Sequence, residues 1–175
     1  METTIQTIHA TQEFRLVHLA DAFVELSERF KHEEHLLNAK PEELMKQFLN
    51  GLSVVAFGGW QIIGHLTLWH LHDDWYESGS MWIHPDSRNR GLATQLKNEL
   101  INMSPHVNVL STTTNSIAVK MNQALRISEQ SFQDLALEIH RATCVCSAEK
   151  MQADNFENCQ LRDEKCRLFV RMKIK

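Results

Sequence analysis

The 175-residue chain has no apolar run long enough to cross a bilayer as a helix, which argues against a membrane-spanning helical protein. It contains no Gly-Lys-Ser or Gly-Lys-Thr, so a Walker-type phosphate lysine is excluded. Positive charge is not in excess. Eighteen Lys and Arg stand against 22 Asp and Glu, a formal charge of −4, which argues against a general nucleic-acid or anionic-membrane binder. A local basic groove is still allowed. No internal repeat and no low-complexity tract is visible. The opening Met-Glu-Thr-Thr-Ile lacks a charged-then-apolar signal pattern, and a cytoplasmic location is the default expectation. Cysteine is sparse, with four residues and no doubled Cys-x-x-Cys. In a reducing compartment these read as thiols or metal ligands rather than disulfides. Tyrosine occurs once, at Tyr76. The length fits one domain over residues 1–175 with a real core.

The stretch from Met81 to Leu96 carries the most chemistry. Met81-Trp82-Ile83 is apolar and reads as a strand end, closed by Pro85, which has no N–H for a ladder. Leu92, Leu96, Leu100 and Met103 form one apolar stripe at helical spacing, stopped by Ser104-Pro105. Between strand and helix lies Arg88-Asn89-Arg90-Gly91-Leu92-Ala93-Thr94. The first turn of a helix has backbone N–H groups without partners and partial positive charge, so an anion fits there. Gly91 permits close backbone approach, and Ala93 keeps it open. Arg88 and Arg90 add forked donors. A pyrophosphate cradle is one reading. A plain strand–helix turn with two solvated arginines is the other.

The remaining elements follow from pattern. Ile5 to His9 reads as a short strand, and Phe14 to Phe30 as an amphipathic helix. Lys31-His-Glu-Glu-His35 is a polar break; His32 and His35 with Glu33 and Glu34 read as a solvated helix end rather than a metal site. Pro41, followed by Glu42 and Glu43, opens a second helix that Gly51 ends. Ser53–Phe57, a Gly58-Gly59 turn, Trp60–His72 and Trp75–His84 form an antiparallel meander. His65, His70 and His72 fall on its middle strand and read as half-exposed. Val107–Thr112 is a further strand, and Asn115 caps a helix carrying Ile117, Ala118, Met121 and Leu125. Phe132, Leu135, Ala136 and Ile139 suggest another helix. Cys166 to Ile174 reads as a closing strand.

Arg88-x-x-Gly91-x-Ala93, preceded by Ile83-x-Pro85, resembles the acyl-CoA signature of the GNAT superfamily of N-acetyltransferases. Asn115-x-x-Ala118 after a strand resembles the family's next landmark. Two departures stand out: Asn122 occupies the usual tyrosine position, and Arg126-Ile127 replaces the usual Gly-Phe. About the first three quarters of the chain follow the family's element order. The resemblance implies a mixed α/β (α+β) fold with a mostly antiparallel central sheet and helices on both faces. It implies acetyl-CoA as cosubstrate. Met81, Trp82 and Ile83 would meet its pantetheine arm, Arg88 to Thr94 its pyrophosphate, and Asn115 would lie near the arm. The expected activity is transfer of an acetyl group to a primary amine by direct attack, with a general base taking the amine proton. Glu77, before Ile83 on the same strand, is the candidate base, the alternative being an exposed carboxylate. Asp73 and Asp74 are further candidates, and Tyr76 a weak candidate acid. The expected partner is a small-molecule or peptide amine, with no nucleic acid and no membrane; a homodimer is left open. An inactive CoA-binding module is the competing reading, because Asn122 cannot act as the acid. In the tail, over residues 140–175, Cys144, Cys146, Cys159 and Cys166 offer four thiolates for a structural zinc, or are four ordinary thiols.

Overall fold

The computed structural model describes residues 4–6, 16–33, 36, 38–143 and 166–174. Its elements run β1 (Thr4–Gln6), α1 (Leu16–Phe30), α2 (Pro41–Leu49), β2 (Ser53–Gly58), β3 (Gln61–His72), β4 (Trp75–Ile83), α3 (Leu92–Met103), β5 (Asn108–Thr113), α4 (Ser116–Ala124), β6 (Ser128–Gln130), α5 (Leu137–Thr143) and β7 (Arg167–Arg171). The strands form a mixed sheet in the order β1-β2-β3-β4-β5-β7-β6. Among the pairs described, β4–β5 alone is parallel. The expected mixed, mostly antiparallel α/β fold is therefore present. The chain divides into two compact units, Met1–Leu68 with Gly79–Met103, and Trp69–Ser78 with Ser104–Lys175.

In the first unit, α1 buries Leu19, Phe23, Leu26 and Phe30 at helical spacing. Pro41 opens α2, and the Glu43 carboxylate accepts from the Lys40 N–H, satisfying one donor ahead of the first turn. Phe48 of α2 meets Phe23 of α1 at 5.5 Å between ring centroids. The β2–β3 turn is Gly59-Trp60, one residue later than the glycine pair suggests, with Gly59 in the left-handed region at φ 67°. Gly64 of β3 makes room for α3: a Cβ there would lie 2.9 Å from Leu96 Cδ1 and 3.2 Å from Leu92 Cδ2. The next residue, His65, faces the other way, edge-on to Phe23 and Phe30 of α1. Helices thus cover both faces of this part of the sheet.

That double cover corrects one expectation. His65 is not half-exposed but fully buried, as is every residue from Gly64 to Leu68. Alternation of burial is lost where both faces are packed. His70 and His72, beyond this stretch, are exposed.

The second unit is built on β5, β6 and β7. Leu110, Phe132, Ile139, Leu168 and Val170 form its core, with Leu71, Trp75, Leu135 and Cys166 packed against it. The helix expected around Phe132 to Ile139 is interrupted. Phe132–Asp134 is a 3₁₀ turn, Leu135 is extended, and α5 starts at Leu137. Ser131 accepts from the Gln133 N–H, and Asp134 accepts from the Ser131 N–H; this reciprocal cap closes the turn locally. The short strand β6 before it has no apolar pattern to announce it: its residues are Ser128, Glu129 and Gln130.

Candidate active site

β4 ends at Ile83, whose C-terminal neighbour His84 donates its N–H to Ile63 O at 2.8 Å. A 3₁₀ turn over Pro85–Ser87 then leads into Arg88 to Gly91. Two residues in this loop take left-handed backbone, Asn89 at φ 61° and Gly91 at φ 77°. Asparagine tolerates that region and glycine enters it without cost. The Gly91 carbonyl accepts from Gln95 N at 3.1 Å, so Gly91 is the residue on which α3 starts. The amides of Leu92, Ala93 and Thr94 precede that first helical bond and find no acceptor among the described residues. The first turn has no acidic side chain to occupy them. The result is an exposed cradle of N–H groups at the head of a 12-residue helix, a place suited to an anion.

The two arginines of this loop differ. Arg88 is engaged: its Nε donates to Ile83 O at 3.0 Å and its Nη2 to Glu33 Oε1 at 2.6 Å. Glu33 Oε1 also accepts from Trp82 Nε1 at 3.1 Å. Arg90 is exposed and makes no ion pair among the described residues. Trp82 is buried, and the Arg29 guanidinium lies 5.6 Å from its ring centroid. Upstream on β4, Ser80 has φ 54°, an unusual conformation for a residue inside a strand. Its carbonyl accepts from His65 Nδ1–H at 2.9 Å.

The sequence profile of the acetyltransferase (GNAT) family matches residues 19–125. The chain belongs to the GNAT acetyltransferase family. No curated protein sequence matches it. Among solved structures, it resembles N-acetylglutamate synthase from Neisseria gonorrhoeae, complexed with coenzyme A and N-acetyl-glutamate, at 14% identity and TM-score 0.58. That match covers 100% of this chain but 36% of the synthase, so the chain spans about a third of that enzyme's length. It also resembles Rv2747 from Mycobacterium tuberculosis in complex with CoA, at 13% identity and TM-score 0.59, over 89% of this chain and 94% of that one. A third similar structure is diaminobutyrate acetyltransferase EctA from Paenibacillus lautus, bound to L-2,4-diaminobutyric acid and coenzyme A. There the identity is 12%, the TM-score 0.55, and the coverage 86% of this chain and 89% of that one. At these identities the likeness is one of fold.

Within this GNAT domain, the second unit holds the other expected site residues. Glu77 lies on β4, where the parallel pairing with β5 places it opposite Leu110. Thr112 Oγ1 donates to Glu77 Oε1 at 2.7 Å, fixing one carboxylate oxygen. Tyr76 is its immediate neighbour, so strand alternation sends its ring to the opposite face, where it meets His70 edge-on at 5.1 Å. Asp74 is committed elsewhere, to the Lys173 ammonium and to Asn108 Nδ2 at 3.0 Å. The Lys173 hydrogen bond holds its carboxyl below the usual range. Asp73 meets His72 Nδ1 at 3.2 Å. Asn115 caps α4 as expected, its Oδ1 accepting from Ile117 N at 2.8 Å. Asn122 is fully buried, and neither its Oδ1 nor its Nδ2 has a hydrogen-bond partner among the described residues.

Cys144, Cys146 and Cys159 lie outside the described residues. Cys166 is half-buried against the apolar cluster of the second unit. Among the described residues no group of His, Cys, Asp and Glu is arranged to hold a metal. Sequence reasoning missed Glu33, Thr112 and Ser80. Glu33 reads as one more charge in a polar break, because its partner Arg88 is 55 positions away. Nothing in the sequence signals the left-handed backbone of Ser80.

Proposed function

We propose that the protein is an N-acyltransferase that moves an acetyl group from acetyl-CoA to a primary amine. The observation that carries this is the row of amides at the head of α3 that find no acceptor among the described residues, set by left-handed Gly91 and without a carboxylate in the first turn. Such a cradle fits the pyrophosphate of CoA. Leu92, Ala93 and Thr94 would hold it through their N–H groups, with Arg90 adding charge. Met81, Trp82 and Ile83 would meet the pantetheine arm, and Asn115 would lie near it. When bound, acetyl-CoA supplies the acetyl group as a thioester. Glu77 takes the proton from the attacking amine, since an amine protonated at pH 7 is not a nucleophile. Thr112 orients that carboxylate. Two fold relatives bind diaminobutyric acid or N-acetyl-glutamate beside CoA, which favours a small amine such as an amino acid as acceptor.

A second reading, a GNAT domain that binds CoA without efficient turnover, draws on Asn122. Its amide does not titrate and cannot return a proton to the departing thiolate. Solvent can do so, because a thiol near pH 8.5 is a fair leaving group. Thiol release from acetyl-CoA with a panel of amines separates the two. Turnover that falls at least about 100-fold in Glu77→Gln supports the base role. CoA binding with no turnover on any amine supports the second reading. No CoA binding at all removes both.

A further inference from the structure

We infer that Glu33 is a positioning residue for the phosphate loop, and that the loop's two arginines divide its work. Arg88 holds the loop's shape against Glu33, and Arg90 is the arginine that meets the phosphate. This rests on the CoA-binding reading above.

The geometry is a closed circuit. Ile83 O accepts from Arg88 Nε, Arg88 Nη2 donates to Glu33 Oε1, and the same oxygen accepts from Trp82 Nε1. The circuit joins the last two residues of β4, the middle of the loop and the turn after α1. Every donor in it is directed, and a guanidinium fork bonded to both a carbonyl and a carboxylate has one orientation left. With Arg88 so held, the chain between Ile83 and Arg88 is pinned at both ends, and Asn89 and Gly91 complete the path into α3 with their left-handed backbone.

The charges point the same way. A carboxylate at 2.6 Å offsets part of Arg88's charge, and turning the guanidinium edge that carries Nε and Nη2 onto a phosphate would break its bonds to Ile83 and Glu33. Arg90 faces no such choice. It is exposed, lies next to Gly91, and has no ion pair among the described residues. The Arg88–Glu33 pair is itself partly exposed, at 46% and 34%, so its contribution to global stability is small. Its consequence is local: where the loop amides point.

The test uses the full chain and two readouts. Titration calorimetry measures CoA affinity, and hydrogen–deuterium exchange without ligand follows the amides of residues 84–94. The variants are Glu33→Ala, Glu33→Gln, Arg88→Ala, the double Glu33→Ala/Arg88→Ala, Arg90→Ala and Arg90→Lys. Thermal unfolding of each verifies the fold, and the near-isosteric Glu33→Gln keeps the test open if the alanine variant unfolds. We expect Glu33→Ala and Arg88→Ala each to speed exchange across the loop and to weaken CoA by about tenfold, with the double variant no worse than either. Glu33→Gln, which keeps one oxygen able to accept from both Trp82 and Arg88 but not the charge, recovers part of the loss. Arg90→Ala leaves loop exchange unchanged, weakens CoA by about three- to tenfold on top of any Glu33 variant, and flattens the salt dependence; Arg90→Lys restores most of it. Unchanged exchange in Glu33→Ala, losses that multiply in the double variant, or full CoA affinity in Arg90→Ala would overturn the assignment. A wild-type protein that binds no CoA removes the acetyltransferase reading and the role of Arg90. The exchange data then still decide whether Glu33 holds the loop.

Discussion

His65 makes the stability of the protein pH-dependent in a defined window. The ring is fully buried among Phe23 and Phe30, and Nδ1–H is spent on the Ser80 carbonyl. Nε2 has no hydrogen-bond partner among the described residues. A proton added there would be a buried charge without an acceptor, so burial pulls the pKa from its ordinary 6.5 down to about 4, against a smaller opposing effect of the Ser80 bond. Unfolded, the same ring titrates near 6.5. Between the two values the unfolded chain binds more protons than the folded one, so protonation favours unfolding. The stability that neutral His65 preserves is fully present above about pH 6.5 and is lost progressively as the pH falls toward 4. A gap of about 2.5 units at about 1.4 kcal/mol each makes the loss roughly 3 kcal/mol. Urea unfolding of wild type and His65→Gln from pH 4 to 7.5 measures it. The glutamine does not titrate and retains an N–H for Ser80. The wild-type minus variant difference should shift by roughly 3 kcal/mol against wild type on acidification. A difference that stays flat across this range, or an imidazole NMR titration of His65 near 6.5, refutes the reasoning.

Two further outcomes follow from packing. Asn122→Leu replaces two buried polar atoms that have no partner among the described residues with a side chain of similar size, and should raise stability by about 1–3 kcal/mol, read as a rise of roughly 3–9 °C in unfolding midpoint. Gly64→Ala puts a methyl 2.9 Å from Leu96 Cδ1, so it should cost about 1–3 kcal/mol and, by lifting the head of α3, weaken CoA in calorimetry more than its effect on stability accounts for.

Much of this was legible in the sequence where local chemistry is strong. Gly91 after two arginines, the Leu92-Leu96-Leu100 stripe and Pro41 before two glutamates each carry their own cause, and the helices start where those residues place them. Asn115 as a cap is the same kind of reading. What was hidden depends on neighbours distant in the chain. His65 looks like any strand histidine until helices cover both faces of β3. Arg88 gives no sign of its bond to Glu33, 55 positions away. β6 has no apolar residue, and it exists because β7 offers it a partner over Ser128–Gln130.

That partnership bears on how the protein comes to be folded. β7 pairs with β5 on one side and β6 on the other, so a strand made late lies between two made before it. β5 and β6 emerge from the ribosome first, and nothing joins them in the sheet until Arg167–Arg171 arrives. Everything in the first unit, by contrast, is synthesised by Met103. During translation the phosphate loop and its helix can settle while the strand opposite Glu77 still waits for its outer neighbour. Shortening the chain before Arg167 would strand Leu110 and Phe132 without their cover and leave an open sheet edge prone to aggregation.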